Sequence, residues 1–239
     1  MNRIVYIILL TSFMEASTYM GQIEPYEKIL LVSEINGLIT KVNRQAEYAF
    51  QDKRKKIVQI EKRIEKINLK GLKSSLDFSK KAYALKEGNF ERKNKVKQIS
   101  QYEKNLEKST LYEMQSQMEE LQKSINLLKY RLGKKTFFIQ QKYVAKIYVR
   151  EGDYVDVGNK VMQVYDVSKE KIELYVRAKE IEDIKTKEIF INNEKSEYKI
   201  EKISQVRDST NLSSFLVRMV KKNLKPNKYF GTAVKVEFK

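Results

Sequence analysis

The chain has 239 residues, of which 33% are charged, and a formal net charge of +17 at pH 7. It contains no histidine and no cysteine, which excludes Ser-His-Asp and Cys-His catalysis, the usual zinc ligand sets and disulfide bonds. No group of carboxylates has a spacing that would replace them, so we expect no enzymatic activity, no metal site and no cofactor. Eight glycines and two prolines leave most of the chain uninterrupted, which predicts long elements and an elongated shape.

Much of the positive charge lies between residues 51 and 135, where 23 Lys and Arg stand against 11 Asp and Glu. This segment has a helical pattern, and a solvated coiled-coil surface accounts for such a lysine-rich run. It has few glycines, no proline and no aromatic stacking platform of the kind that single-strand binders use for bases. A basic coiled-coil protein that binds nucleic acid, or that has a structural role, remains the alternative, and salt-sensitive DNA binding would identify it.

The first 18 residues are organised like a secretory signal peptide or an N-terminal anchor. Arg3 supplies a positive region, residues 4–14 are mainly apolar, and residues 16–18 are small, as a signal peptidase requires. The apolar run stops at Glu15 and is shorter than the roughly 20 residues that span a bilayer. We expect processing near Thr18 and export, with an uncleaved anchor or a buried N-terminal strand as the alternatives.

A short β segment follows at residues 29–42. It is rich in β-branched residues and partly alternating, with Asn36-Gly37 as a turn signal between two apolar runs. This pattern predicts a hairpin of two short strands. So small a β piece cannot bury a core by itself, and it therefore needs partner strands from elsewhere in the chain.

From about residue 49 the hydrophobic period changes from two to seven, as in a coiled coil. The first set with this spacing is Ile57, Ile60, Ile64 and Ile67, and the second is Leu111, Met114, Met118, Leu121, Ile125, Leu128 and Leu132. Residues 87–89 (Glu-Gly-Asn) interrupt the pattern near its middle, and Gly and Asn tolerate the left-handed backbone of a tight turn. We predict an antiparallel coiled-coil α-hairpin over residues 49–133, with its turn at 87–89.

Strand patterns return after Gly133, a glycine stop followed by two lysines. Alternating apolar residues predict strands at 136–140, 143–149, 160–165, 172–176, 188–191, 198–203 and 233–238, with one short helix at 178–185. The β segments that flank the helices, residues 19–48 and 134–170, are expected to close on each other. The α-hairpin would then be an insertion into one split β-domain.

The stretch from Val144 to Asp166 resembles the second lipoyl half-motif of membrane fusion proteins, the HlyD-like periplasmic adaptors. The family pattern is apolar-x-V-x-x-G-D-x-V-x-x-G-x-x-L, and its fixed places are filled here by Gly152, Asp153, Val155 and Gly158. The two glycines and the aspartate are residues of tight turns between strands.

The first half-motif is matched at Gly37, Ile39 and Val42. Arg44 and Glu47 depart from it, because the family has Val and Gly at these places. True lipoyl and biotinyl carriers are modified on a lysine in the turn that joins the two halves. Here the predicted α-hairpin replaces that turn, so no carrier lysine is assigned.

Residues 171–239 resemble the small β-barrel domain that follows in this family, with residues 172–176 and 180–184 at its entry. Pro226 and Asn227 stand where the family has Pro-Gly, and Asn tolerates a positive φ. The resemblance implies an α+β chain in which a long antiparallel coiled-coil α-hairpin is inserted in a lipoyl-like barrel-sandwich hybrid, followed by a small β-barrel.

The same resemblance implies a function. Such a protein would be a periplasmic adaptor, associated with the inner membrane, that links a transporter of the resistance-nodulation-division (RND) or ABC class to a TolC-like outer-membrane channel for efflux or secretion. It would be a homo-oligomer, a trimer or a hexamer, with no nucleic-acid partner. The residues expected to contact the channel at the hairpin tip are Lys86, Glu87, Gly88, Asn89, Phe90 and Arg92.

Some pump adaptors carry the sequence Arg-x3-Leu-x6-Ser at this tip. Arg92 and Val96 imitate its beginning, but Glu103 stands in place of the serine. The match is therefore weak.

Overall fold

The computed structural model describes residues 17–96, 99–207, 213–223 and 229–239. In chain order the elements are β1 (Ser17–Gln22), β2 (Glu24–Val32), β3 (Gly37–Val42), β4 (Ala49–Gln51), β5 (Lys55–Ile60), α1 (Arg63–Asn94), α2 (Gln101–Lys134), β6 (Thr136–Ile139), β7 (Lys142–Ile147), β8 (Tyr154–Val155), β9 (Lys160–Arg177), α3 (Ile181–Ile184), β10 (Ile189–Ile191), β11 (Glu194–Lys195), β12 (Lys199–Ile203), β13 (Ser214–Lys222) and β14 (Ala233–Phe238). Single 3₁₀ turns lie at Arg44–Ala46 and Ala178–Glu180.

These elements form two compact units. Of the described residues, the hairpin unit comprises those within 30–140 and 145–163, and the C-terminal unit comprises those within 17–29, 141–144 and 164–239. The two long helices, α1 and α2, belong to the hairpin unit and run antiparallel as one α-hairpin. The predicted combination of a long α-hairpin with several β-sheets is therefore confirmed.

The C-terminal unit contains antiparallel sheets around one apolar core. In one sheet β13 pairs with β9 and with β12, and in the other β14 pairs with β1 and with β10. Alternate residues of these strands are buried together, as period-two patterning requires. They include Ile172, Leu174, Val176, Val217, Met219, Val234, Val236 and Phe238. The strands predicted at 172–176 and 233–238 are thereby confirmed.

Strand β1 does not belong to the split β-domain in which residues 19–48 were expected. It pairs along its whole length with β14, from Ser17 opposite Phe238 to Gln22 opposite Ala233. Tyr19 packs edge-on against Phe238, and its hydroxyl donates to the Glu180 carboxylate. Most of the predicted signal segment, residues 1–16, lies outside the described residues, and β1 begins inside its last two positions.

The sheet of the hairpin unit has the order β6-β5-β3-β8 and is antiparallel throughout. The hairpin predicted at residues 29–42 is wrong, because β2 pairs with β9, whereas β3 pairs with β5 and β8. Pairing with β5 sets Ile39 directly opposite Ile60, and both side chains are buried. A Cβ on Gly37 would lie 2.7 Å from Ile60, so only glycine fits where β3 begins.

The α-hairpin begins later than residue 49. Residues 49–51 and 55–60 are strands, and α1 starts only at Arg63. Ile57 and Ile60, which have a helical spacing with Ile64 and Ile67, are almost fully buried in β5. Strand β5 pairs with neighbours on both edges, and its β-branched residues Ile57, Val58 and Ile60 suit such a central strand. Tertiary pairing thus overrides the helical spacing here.

Candidate functional site: the α-hairpin and its root

Helix α2 packs against α1 along the seam that its heptad pattern predicts. Leu111 and Ile125 are buried, and the other five seam residues from Met114 to Leu132 are half-buried. Every other residue between Leu111 and Leu132 is exposed. The predicted seam of the second helix is therefore confirmed residue by residue.

The seam of α1 differs from the prediction. Ile64 and Ile67 are 68% and 69% exposed, so they do not face α2. The buried and half-buried residues that have a 3-4 spacing on α1 are Leu69, Leu72, Leu76, Ser79, Tyr83, Lys86 and Phe90. Serine and lysine interrupt this set, which weakens its apolar signal in the sequence. A search for apolar periodicity therefore selects the isoleucines instead.

The chain reverses at residues 95–100, and the turn predicted at residues 87–89 is wrong. Helix α1 continues through Gly88 to Asn94, since one glycine inside a helix costs only about 1 kcal/mol. The tip residues named from the sequence all lie in the last turns of α1, namely Lys86, Glu87, Gly88, Asn89, Phe90 and Arg92. The turn itself includes Val96 and Ile99, whereas Lys97 and Gln98 lie outside the described residues.

A capping box begins α2. The Ser100 hydroxyl accepts a hydrogen bond from the backbone N–H of Glu103 at 3.2 Å, and the Glu103 carboxylate accepts one from the Ser100 backbone N–H at 3.3 Å. This contact explains why position 103 carries a glutamate. Lys93 pairs with Glu107 across the two helices, and this hydrogen bond raises the pKa of Lys93.

An open pocket of about 300 Å³ lies between the helix ends at the tip. Its apolar lining comes from Phe90, Ile99 and Leu106, and its polar lining from Lys93, Asn94, Glu103, Lys104 and Glu107. A lining that combines apolar and charged side chains suits a side chain of a partner. Of the predicted tip residues, Phe90 is the one that contributes to this pocket.

The root of the α-hairpin is fixed to the sheet by a buried lysine. Lys135 is only 8% exposed, and its ammonium donates to the Glu61 carbonyl at 2.7 Å and pairs with Glu65 near the start of α1. Lys62 donates to the Thr136 hydroxyl at 3.0 Å, and burial lowers the pKa of Lys62. Both ends of the α-hairpin are thereby tied to β5 and β6.

Residues 37–39 and 152–155 pair in the sheet at the root of the α-hairpin, although they lie more than 100 residues apart in the sequence. In the β3–β8 pair Gly37 lies opposite Val155, Gly152 N–H donates to the Ile39 carbonyl at 2.9 Å, and Ile39 N–H donates to the Asp153 carbonyl at 2.8 Å. Gly152 and Gly158 have φ values of +91° and +89°, which few side chains tolerate. The half-motif residues Gly37, Gly152, Asp153, Val155 and Gly158 are thus brought into one body.

Arg44 and Glu47, which depart from the half-motif, form a side-chain clamp across these two segments. The Arg44 guanidinium donates to the carbonyls of Ile147 and Val149 at 2.9 and 2.5 Å. The Glu47 carboxylate accepts a hydrogen bond from the Ile147 backbone N–H at 2.9 Å. Sequence reasoning identified both residues as exceptions but not as partners of residues 147–149, because no local pattern carries that information.

Three further expectations concern the predicted barrel turn, membrane-spanning helices and metal sites. Pro226 and Asn227 of the predicted barrel turn lie outside the described residues. Among the residues that the structure describes, no helix is both long and apolar enough to cross a bilayer. In the same ranges no cluster of three or more His, Cys, Asp or Glu side chains could hold a metal ion.

The chain is similar in fold to several solved structures. A MacA–MexA chimera that carries the α-hairpin domain of Pseudomonas aeruginosa MexA has a TM-score of 0.64 at 14% identity, over 94% of this chain and 81% of the chimera. The membrane fusion protein Spr0693 from Streptococcus pneumoniae R6 has a TM-score of 0.69 at 7% identity, over 93% and 98%. MacA from Actinobacillus actinomycetemcomitans has a TM-score of 0.56 at 19% identity, over 94% and 78%.

No protein-family model matches the chain, and no curated protein matches it by sequence. The likeness therefore lies in the fold, since the solved structures share under a fifth of their residues with it. The resemblance inferred from the half-motifs is confirmed at this level: the chain has the fold of membrane fusion proteins.

Proposed function

We propose that this protein is a periplasmic adaptor of the membrane fusion type, which links an inner-membrane transporter to a TolC-like outer-membrane channel for efflux or secretion. The observation that carries the proposal is the α-hairpin inserted into a β-body whose closing strands, β3 and β8, come from either side of it. A rod fixed at its root by buried contacts is suited to mechanical coupling. No enzymatic step is part of this role.

The same proposal assigns the two units to domains of the family and specifies the transporter class and the oligomeric state. The β-body of the hairpin unit corresponds to the lipoyl-like domain, and the C-terminal unit corresponds to the small β-barrel with β1 as an additional strand. The transporter would be of the RND or ABC class, and the adaptor would act as a trimer or a hexamer in the periplasm. The similar fold of the membrane fusion protein Spr0693 supports the domain assignments, and the transporter class and the oligomeric state are what the resemblance to the family implies.

The contact with the channel is proposed at the helix ends. The pocket lined by Phe90, Ile99 and Leu106 lies there, and Val96 is 45% exposed in the turn. Lys86 to Arg92, which the sequence alone placed at the tip, flank this pocket on α1 as an extension of the contact surface. Aromatic and arginine side chains often dominate such interfaces.

Site-specific photo-cross-linking in the source cells tests this contact. A photoreactive residue at Val96 is expected to capture an outer-membrane channel protein, identified by mass spectrometry. The control carries the same residue at Val157, which is 69% exposed but lies in the β-body. Capture of the channel from both positions, or from neither, would contradict the tip contact.

A helix-breaking substitution tests the coupling role. Met118→Pro interrupts α2 at its seam with α1, whereas Met118→Leu preserves the seam, so only the proline variant should lose transport. The readout is survival on toxic compounds to which deletion of the gene sensitises the cell, with the amount of folded protein measured in parallel. Normal survival with Met118→Pro would rule the role out, and salt-sensitive DNA binding by a cytosolic protein would favour the basic coiled-coil alternative.

A further inference from the structure

An open groove lies on one flank of the α-hairpin, in the half nearer the root. Its volume is about 630 Å³, and its lining comes from residues between 67 and 75 of α1 and between 124 and 131 of α2. The apolar part of this lining consists of Ile67, Leu72, Leu127 and Leu128. A volume of about 300–1,000 Å³ with a mainly apolar lining is typical of sites for small molecules.

The groove is open because several of its residues are small. A Cβ on Gly71 would meet no atom of the described residues within 4 Å, so there is free space beside this turn of α1. Ser75 on α1 and Ser124 on α2 are also small and contribute to the same lining. Ile67 and Leu127 remain 69% and 52% exposed. The packing of α1 against α2 therefore leaves apolar surface uncovered along this groove.

The groove has a cation at one end. Arg131 contributes to the lining and lies three residues before the end of α2. The next cations along the chain, Lys134 and Lys135, pair with acidic residues of their own. Among the described residues, none forms an ion pair or a hydrogen bond with Arg131. Since the described lining contains no carboxylate, the Arg131 guanidinium is available to an anion.

The dimensions of the groove match one extended alkyl chain. The lining extends on α1 from Ile67 to Ser75, which is about 12 Å at 1.5 Å per residue and equals the length of a chain of about ten carbons. Helices α1 and α2 are antiparallel, so Arg131 lies at the root end of the groove and Ser124 towards the other end. A ligand that fits both features has a negative head group at one end and an apolar tail.

We propose that this groove binds a single-chain anionic amphiphile of about ten carbons, a fatty-acid-like molecule, with its head group at Arg131 and its chain beside Gly71. The ligand binds as a free molecule and not as part of a bilayer, because one chain length and one unpaired cation match a single molecule. The inference goes beyond the proposed function and does not rest on it. Loss of channel capture at Val96 would count against the proposed function and not against this site.

Isothermal titration of the full-length chain with decanoate, well below the concentration at which it forms micelles, tests the site. Gly71→Leu fills the groove and should raise the Kd about tenfold or more. Gly133→Leu is the matched control, because it makes the same exchange in open space outside the described lining. Both exchanges raise helix propensity, so neither variant should unfold at a lower urea concentration than the natural chain. Equal Kd values for the two variants, or no binding to the natural chain, would overturn the proposal.

A second pair of variants tests the head-group contact. Arg131→Gln should raise the Kd for decanoate about fivefold or more, and should leave unchanged the Kd for decyl maltoside, which has the same chain but no charge. Lys123→Gln removes the same charge from an exposed position of α2 outside the described lining, and should change neither value. Equal losses of decanoate binding in the two variants would show attraction by net charge alone and would overturn the site.

Two further measurements test other occupants of the groove. The Kd for decanoate should be the same at two protein concentrations that differ about tenfold, and a Kd that rises with protein concentration would show that a second copy covers the groove. Flotation with phosphatidylglycerol vesicles should not differ between the natural chain and Gly71→Leu. Loss of vesicle binding in that variant would assign the groove to a bilayer surface, and either result would overturn the proposal.

Discussion

The α-hairpin and the sheet at its root differ in how they are held together. The sheet buries Ile39, Ile57, Val58 and Ile60 almost completely and is closed by hydrogen bonds between distant segments. Among the described residues of α1 and α2, which are 32 and 34 residues long, only Leu76, Leu111 and Ile125 are buried. The root thus has a core of its own, whereas the helices depend on their root and on the narrow seam between them.

The largest effect on stability is expected in a comparison of Ile60 with Ile64. Both belong to the helical spacing read from the sequence, but the side chain of Ile60 is buried and that of Ile64 is exposed. Ile60→Ala removes a fully buried side chain and should lower the free energy of unfolding of the hairpin unit by about 2–4 kcal/mol. Ile64→Ala, on the exposed side of α1, should change it by less than about 0.5 kcal/mol. Urea denaturation followed by circular dichroism measures both, and similar losses would show that the burial contrast is wrong.

A smaller effect is expected from the clamp. Arg44→Ala leaves the carbonyls of Ile147 and Val149 without their side-chain donor, and should lower stability by about 1–2 kcal/mol, since Arg44 is partly exposed. Arg63→Ala is the matched control, because its side chain is 85% exposed and its ion pair with Glu61 lies at the surface. Equal urea midpoints for the two variants would argue against the clamp.

The capping box should matter only at the far end of the helices. Ser100→Ala is expected to cost about 1 kcal/mol, seen as faster amide exchange in the first turn of α2 with no change in the β-body. Ser109→Ala, at an exposed position inside α2, should be neutral or slightly stabilising. Faster exchange in the β-body of the Ser100 variant would mean that tip and root are not energetically separate.

The C-terminal unit should lose stability at alkaline pH, whereas its stability at neutral pH should not depend on this titration. Burial and a 2.8 Å hydrogen bond to Glu170 raise the pKa of Tyr198 well above its ordinary value. The unfolded chain loses this proton near pH 10, whereas the folded chain keeps it. The stabilisation is therefore complete below pH 10 and is lost above it, where the unfolding constant rises about tenfold per pH unit. Tyr198→Phe should remove that part of the slope between pH 9 and 11, and identical slopes would contradict the assignment.

The seam of α2 could be predicted from the sequence because seven apolar residues repeat there without interruption. The seam of α1 could not, since Ser79 and Lys86 occupy two of its positions while Ile64 and Ile67 offer a stronger apolar pattern on the wrong side. The turn was misplaced for a related reason. Gly88 and Asn89 have turn propensity, but a helix with a packing partner tolerates them, and the chain reverses seven residues later.

The β-body shows the same division between local and long-range information. Gly152, Asp153 and Gly158 mark turns that any local reading finds, and their partnership with Gly37 followed from the need of a small β segment for a core. Two features depend on contacts between residues far apart in the sequence and have no local signal. These are the pairing of β1 with β14 and the clamp of Arg44 and Glu47.

The insertion of the α-hairpin into one closed β-body is tested most directly by a disulfide across the closing strands. Leu38 and Tyr154 are directly opposite in the β3–β8 pair, at a position without mutual backbone hydrogen bonds where the Cα atoms of a pair lie about 4.5 Å apart. With both replaced by cysteine and the chain cut by protease within α1, the account predicts that the two fragments remain joined until a reductant is added. Fragments that separate under oxidising conditions, with both thiols free, would contradict it.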